Sequence, residues 1–289
     1  MAVDFSTLRK NSKKNFERQV AEIEKLKKGS SFQKDEREWT LKTDSAGNGF
    51  AIIRFLPPHK DEEVAFQMFY RYAVEGPNGW YIENSPTTFN QPDPMAEENT
   101  RLWKSGIDSN KDIAKKRSRK KTYVANIFVV KDAAQPECEG KNFIYKYGKR
   151  IFEKQEAIMF PPDESIDAID PFDLFNGANF NLTACIVDGN RSYNKSTFGK
   201  QGPLFKDDGK MKVVYEAEYP LLPYLAPDQF KSYDKLKERF NKVFGIENSV
   251  IGTASPSKEP ASGNTETPAG LSETVDPENE KFFANLAED

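Results

Sequence analysis

Between Lys111 and Lys121 the chain carries seven Lys or Arg residues (Lys111, Lys115, Lys116, Arg117, Arg119, Lys120 and Lys121) against one acid, Asp112. Positive charge at that density requires a polyanion or open solvent beside it. The run leads directly into Thr122–Val130, which opens with Tyr123. A second aromatic stretch, Phe143-Ile144-Tyr145-Lys146-Tyr147-Gly148-Lys149-Arg150, follows and ends on two more cations. In a strand, Tyr145 and Tyr147 project from one face, with Phe143 extending the stripe. Cations that track phosphates beside flat rings that stack on bases are the two components of a single-stranded nucleic-acid groove. Composition alone allows a plainer arrangement equally well, a solvated basic loop beside an ordinary core strand, because half-buried strands are themselves rich in Tyr and Phe.

Other chemistry finds little support. No phosphate-binding G-x-x-x-x-G-K-[ST] occurs, and Asp44-Ser45-Ala46-Gly47-Asn48-Gly49 holds a Gly-x-Gly without the rest of a dinucleotide fingerprint. The single histidine, His59, follows two prolines in a polar loop, which suits a surface residue better than a general base. Paired acids such as Asp61-Glu62-Glu63 are ordinary surface features, and no spacing singles out a two-metal nuclease site. Cys138 and Cys185 are far apart in no metal-binding spacing, consistent with a reducing compartment. No apolar run reaches the roughly 20 residues needed to span a bilayer. The N-terminus has no apolar signal core, so a soluble cytosolic protein with no membrane partner is expected.

The elements that must position the candidate groove can be read from periodicity. Gly49–Leu56 is a predicted strand stopped by Pro57-Pro58, and Val64–Tyr72 and Trp80–Ile82 flank the turn Gly76-Pro77-Asn78-Gly79. The polar stretch Ser85–Asn110, with Pro86, Pro92 and Pro94, reads as an insertion or long loop. Strands are predicted over Thr122–Val130, Asn142–Tyr147 and Ala178–Val187, with Arg191–Phe198 pairing after Gly189-Asn190. Phe230, Tyr233, Leu236, Phe240 and Val243 keep helical spacing before Gly245, which predicts a capped helix closing the core. The ends differ in charge. Residues 1–28 carry eight Lys or Arg against four acids, with Phe16, Val20, Ile23 and Leu26 forming a narrow amphipathic stripe. Residues 250–289 carry two Lys against eight acids in a Ser-, Thr-, Pro- and Gly-rich composition that predicts disorder. Three parts are therefore expected: a basic helical arm (1–28), a core (29–249) and an acidic tail (250–289). Phe282, Phe283 and Leu286 form a terminal apolar motif suited to docking a partner.

Several strings carry a resemblance to a known family. Lys120-Lys121-Thr122-Tyr123-Val124-Ala125-Asn126-Ile127-Phe128-Val129-Val130-Lys131-Asp132, then Pro136-Glu137, Glu139-Gly140-Lys141 and Tyr145-Lys146-Tyr147-Gly148-Lys149-Arg150-Ile151, resemble the core of the single-stranded DNA-binding proteins of T-even-type bacteriophages. Trp39–Lys42, Ala46–Gly49, Ile52–Pro57 and Asn78–Glu83 are similar to the same family's earlier strands, so the resemblance covers about residues 30–190. It implies an α+β protein with an OB-type β-barrel core and an inserted subdomain, acting without catalysis in the cytoplasm of an infected bacterial host. The implied function is sequence-tolerant, cooperative coating of single-stranded DNA during replication, recombination and repair, with ssRNA, including the protein's own message, as an alternative ligand. A metal-dependent nuclease is the remaining alternative. The implied nucleic-acid contacts are Lys115, Lys116, Arg117, Arg119, Lys120, Lys121, Tyr123, Tyr145, Tyr147, Lys149, Arg150 and Tyr193. Self-association into filaments falls to Arg9, Lys10, Ser12, Lys13 and Lys14, and recruitment of replication and recombination proteins to the tail.

One departure is chemically decisive. Better-known members of that family hold a structural zinc with one His and three Cys, whereas the corresponding positions here are Tyr72, Ser85, Met95 and Glu98. None supplies imidazole or thiolate, so no metal cofactor is expected. Aromatic packing around Phe69, Tyr72, Phe89 and Trp103 is the expected substitute, the alternative being a looser subdomain.

Overall fold

The computed structural model describes residues 35–163 and 165–246, so the arm (1–28) with Arg9, Lys10, Ser12, Lys13 and Lys14, and the tail (250–289) with Phe282, Phe283 and Leu286, lie outside the described residues. The elements below belong to the compact unit that begins at Arg37. Among the described residues there are nine strands: β1 (Glu38–Trp39), β2 (Gly49–Phe55), β3 (Phe66–Gly76), β4 (Gly79–Asn84), β5 (Lys120–Lys131), β6 (Asn142–Gly148), β7 (Ala178–Val187), β8 (Asn190–Ser192) and β9 (Thr197–Gln201). Five α-helices join them: α1 (Pro94–Lys104), α2 (Asp108–Lys116), α3 (Lys149–Met159), α4 (Asp208–Glu216) and α5 (Tyr233–Phe244).

The α+β class is as expected, but the sheet is not a closed barrel. Strand order runs β1-β6-β5-β2-β7-β8, with β3 beside β5, β4 beside β3 and β9 beside β7. Closure would need β1 to pair back onto β7, β8 or β9. The two-residue β1 instead makes a short parallel pairing with β6. The twelve-residue β5 organises the sheet. One of its edges pairs along Thr122–Phe128 with β6, and the other is divided between β3 (at Lys120–Ala125) and β2 (at Ile127–Lys131). The β2–β5 register shifts between Ile52 and Ile53, a bulge opposite Val129–Lys131 at the far end of that ladder.

Period-two alternation fixes which face is buried. Ala51, Ile53, Phe55, Tyr123, Ala125, Ile127, Val129, Tyr145, Tyr147, Phe180 and Leu182 share the central core with Trp39, Ile151 and Phe172. On the opposite face, Phe69, Val124 and Ile144 are covered by the segment carrying Tyr219, Leu221, Tyr224, Leu225 and Phe230. That strap is pinned by Asn126, whose side chain donates to Tyr219 O (2.8 Å) and accepts from Tyr219 N (3.0 Å).

The stretch Ser85–Asn110 is not a long loop: it forms a 3-10 turn at Pro86–Phe89, then α1 and the start of α2. Asp93 caps α1 by accepting from Met95 N and Ala96 N, and Pro94 occupies the first helical position, where its missing N–H costs nothing. The C-terminal helix is present as α5, ended by Gly245 in the left-handed conformation (φ 67°). It closes a satellite core of Tyr72, Val74, Tyr81, Met95, Leu236, Phe240 and Val243, not the central one. The β7–β8 hairpin turns through Asp188 and Gly189, both at positive φ.

Candidate nucleic-acid interface

The cationic run is not a loop. Lys115 and Lys116 form the last turn of α2, where positive side chains complement the helix dipole, and Arg117 is its C-terminal cap. Lys120 and Lys121 are already in β5, paired across from Arg71 and Tyr70 of β3. Alternation then divides the run around the end of the sheet. Lys121 shares the face of Tyr123, and Lys120 points to the opposite face with Arg71. Lys116 and Lys120 are exposed, and Lys115 and Lys121 are half-buried.

Two of the arginines have structural duties. The Arg119 guanidinium lies 3.8 Å from the Tyr70 ring centroid and that of Arg117 4.1 Å from Phe244, while the Lys115 amine sits 5.8 Å from the Trp103 ring. Burial lowers the proton affinity of both arginines, opposed by Tyr70, Tyr72 and Asp93 around Arg119 and by Glu98 near Arg117. An arginine normally titrates so high that both remain charged. Arg117 thus packs the end of α2 on α5, and Arg119 packs the start of β5 on Tyr70 of β3, while both keep their charge near the run.

The tyrosine stripe exists, but its rings are packed, not open. Tyr123, Tyr145 and Tyr147 are 5%, 4% and 4% exposed. Tyr147 faces Tyr123 across the β5–β6 ladder, and the two rings stack at 5.7 Å, with Tyr145 stacked on Tyr147 at 5.5 Å. The cover is α3. Phe152 lies flat on Tyr123 at 4.0 Å and 7°, and the Tyr147 hydroxyl donates to Gln155 Oε1 at 3.0 Å. Burial raises the pKa of the Tyr145 and Tyr147 phenols, so these rings stay neutral.

Lys149 and Arg150, which follow the predicted strand Asn142–Tyr147, form the first turn of α3, with Gly148 in the N-cap position; that helix was not predicted. The missed signal is Ile151, Phe152 and Met159, apolar residues that with Gln155 keep helical spacing up to Phe160-Pro161-Pro162. Arg150 is exposed and Lys149 half-buried, at the end of the sheet where β5 enters from the cationic run. Tyr193 is half-buried against the central core, and the loop after it is tied to α3 by Lys154 Nζ donating to Asn194 O (3.0 Å). The structure therefore gathers Lys120, Lys121, Lys149 and Arg150 about one end of a tyrosine-floored sheet face that α3 covers. Tyr70 and Phe152, which sequence reasoning did not single out, are part of it.

Comparison with known proteins decides the family. A family model described as gp32 DNA binding protein like matches residues 47–244. The chain belongs to this family. It is 36% identical over 235 residues to the single-stranded DNA-binding protein of Enterobacteria phage T2, covering 78% of this chain and 76% of that protein. It is 35% identical over 243 residues to the protein of the same name from Enterobacteria phage T4, covering 81% and 79%. A further single-stranded DNA-binding protein, from Escherichia phage SV14, is 42% identical over 71 residues, 24% of this chain and 63% of that one.

At the positions where the family resemblance implies zinc ligands, the residues do not fit that metal. Tyr72 is buried beside Tyr81 at 5.9 Å, and Met95 is buried in the same satellite core. The Ser85 hydroxyl donates to Asp93 Oδ2 at 2.8 Å, and Glu98 is engaged by Arg101 through two hydrogen bonds. Desolvation raises the pKa of Asp93, partly offset by the donors from Ser85, Ala96 and Met95. A hydroxyl–carboxylate link and an aromatic cluster thus join β3, the 3-10 turn and α1. Of the expected aromatic set, Tyr72 takes part in that cluster. Phe69 and Phe89 instead meet Phe230, and Trp103 lies beneath Lys115.

Proposed function

We propose that this protein binds single-stranded DNA without sequence preference and coats it cooperatively during viral replication, recombination and repair, in the cytoplasm of an infected bacterium. The observation that carries this reading is the convergence of exposed cations and an aromatic sheet face in a chain that aligns over about four fifths of its length with two phage proteins named for ssDNA binding. We read the sheet as an OB-type core left open at β1. In this reading Lys115, Lys116, Lys120, Lys121, Lys149 and Arg150 hold phosphates, and Arg117 and Arg119 contribute charge from their stacked positions. Tyr193 and Tyr70 offer ring edges to bases. Tyr123, Tyr145 and Tyr147 form the packed floor beneath, held under α3, and shape the groove from below.

The arm, through Arg9, Lys10, Ser12, Lys13 and Lys14, links neighbours along the strand, and Phe282, Phe283 and Leu286 of the tail dock replication and recombination proteins. The protein is not an enzyme in this reading, and it needs no metal. Coating destabilises duplexes by mass action on the open form. The test is a titration of labelled ssDNA, ssRNA and duplex, with and without Mg²⁺. Tight binding to ssDNA that leaves the strand intact supports the reading. Preference for ssRNA or Mg²⁺-dependent cleavage replaces it with the RNA or nuclease alternative.

A further inference from the structure

Among the described residues, the β3–β4 ribbon has one covered face and one bare face. Tyr72, Val74 and Tyr81 point into the satellite core beneath α1 and α5. On the other side, Ala73 and Glu75 are exposed, as are Trp80 (51%) and Ile82 (40%). The ladder sets these out in levels: Lys120, Arg71 and Asn84 across the first, Ala73 and Ile82 across the second, Glu75 and Trp80 across the third. Residues paired across a ladder project from the same face, so the exposed cation Lys120 and the half-buried Arg71 share the face of Trp80. The first and third levels are about 13 Å apart along the strand. Among the described residues, the strap that covers this face farther along reaches Asn84, whose amide donates to Gln229 O (3.1 Å), while Ala73, Glu75, Trp80 and Ile82 beyond that level are exposed.

A half-exposed tryptophan presents a large flat ring on which a second flat, apolar group can stack. Arg239 of α5 and Lys231 just before it do not supply the partner, because both are engaged by Glu83 on the covered face. We propose that the bare face of β3–β4 is a second stacking platform for the single strand. Trp80 receives a base, flanked by Ile82 and Ala73, and Arg71 and Lys120 carry the phosphates that lead to it. The occupant follows from charge and continuity. Lys120 belongs to the cationic run and is the member that alternation turns onto this side, so a strand held by Lys121 and Lys149 needs only to pass the end of the sheet to reach it. Glu75, directly across from Trp80, confines the phosphates to the Arg71 side and leaves only the base over the ring. The inference rests on the ssDNA-binding reading above and extends its footprint.

The test is the dependence of affinity on oligonucleotide length. Fluorescence anisotropy with an ssDNA ladder defines the shortest length that wild type binds. Trp80→Ala should leave that shortest complex unchanged and weaken longer ones by about 5- to 150-fold, the equivalent of about 1–3 kcal/mol per stacked base. Trp80→Phe should retain most of the affinity. Because Trp80 could also affect folding, Arg71→Gln and an intact-protein measurement stand beside it. Arg71→Gln should reduce the salt slope on long oligonucleotides by about 0.7. Photocrosslinking of 5-iodouracil ssDNA to the wild-type protein should label the Gly79–Asn84 segment. Equal affinity of wild type and Trp80→Ala at every length, equal loss at every length, or crosslinks that avoid β4 would each overturn the platform while leaving the ssDNA reading in place. Failure of wild type to bind any length would instead overturn that reading.

Discussion

Replacing Tyr123 by Ala separates a ring that supports the interface from one that touches nucleic acid. The ring is 5% exposed, lies on Phe152 at 4.0 Å and faces Tyr147 at 5.7 Å. Deleting a buried aromatic of this kind costs about 3–5 kcal/mol, of which about 0.5–1.5 kcal/mol belongs to each aromatic pairing. With a urea dependence of about 1–3 kcal/mol per molar, the unfolding midpoint should fall by at least about 1 M. Phe152→Ala, at a half-buried position, should fall at the lower end of the same range, and the double variant should lose less than the sum by about 0.5–1.5 kcal/mol, because the Tyr123–Phe152 stack is lost only once.

The assay pairs urea unfolding with anisotropy titration of a short ssDNA well below the melting temperature, with active protein counted by stoichiometric titration. If α3 stays in place, affinity per folded molecule changes little, because the cations on β5 and α3 remain. A ring that stacked on a base in the complex would instead cost about 1–3 kcal/mol of binding. An unchanged unfolding midpoint together with a loss of roughly fivefold or more in affinity would refute the packing argument, since it would require Tyr123 to face the strand with α3 displaced.

The remaining expectations can be checked on the same preparations. If about four to six of the exposed and half-buried cations contact phosphate, log K should fall against log [salt] with a slope of about −3 to −4, and a slope near zero removes the groove. Structural zinc contributes about 10–16 kcal/mol in small peptides, so melting curves with and without EDTA should superimpose here, and elemental analysis showing one zinc per chain would contradict the Ser85–Asp93 account. Glu218 is buried beside Glu62, whose Oε1 already accepts from Leu221 N and Leu222 N, and burial first and Glu62 second raise the Glu218 pKa to about 8. The folded state then holds a proton that the unfolded chain has released above its ordinary carboxylate range, so stability should fall as pH rises from about 4.5 to about 8. Glu218→Gln should remove that slope in pH-dependent urea unfolding, and an unchanged slope would place its origin elsewhere.

What was legible in the sequence, and what was not, divides along a physical line. Strands β2, β5, β6 and β7 announce themselves because period-two alternation and flanking Gly or Pro are local properties, and the predicted boundaries of β7 coincide with those observed. The helix α5 was legible for the same reason, its apolar positions repeating before a glycine that can adopt positive φ. Two kinds of feature were missed. Asp93-Pro94 is a good helix start, but the polar residues after it hid α1, whose stability comes from Asp93 and from packing on α5, both decided in three dimensions. Lys149 and Arg150 were read for their charge alone, after a strand ending at Tyr147, and the helical spacing of Ile151, Phe152 and Gln155 behind them was missed. That omission has a consequence for function, since without the helix Tyr123 and Tyr147 would be open whereas the helix covers them. Residue types and alternation can say that rings share a face; only the element that packs on that face decides whether a base can reach them. The cations and the aromatic stretch were therefore readable as a set, while the positions taken by Arg117 and Arg119, stacked on Phe244 and Tyr70, depend on tertiary contacts that no spacing in the chain encodes.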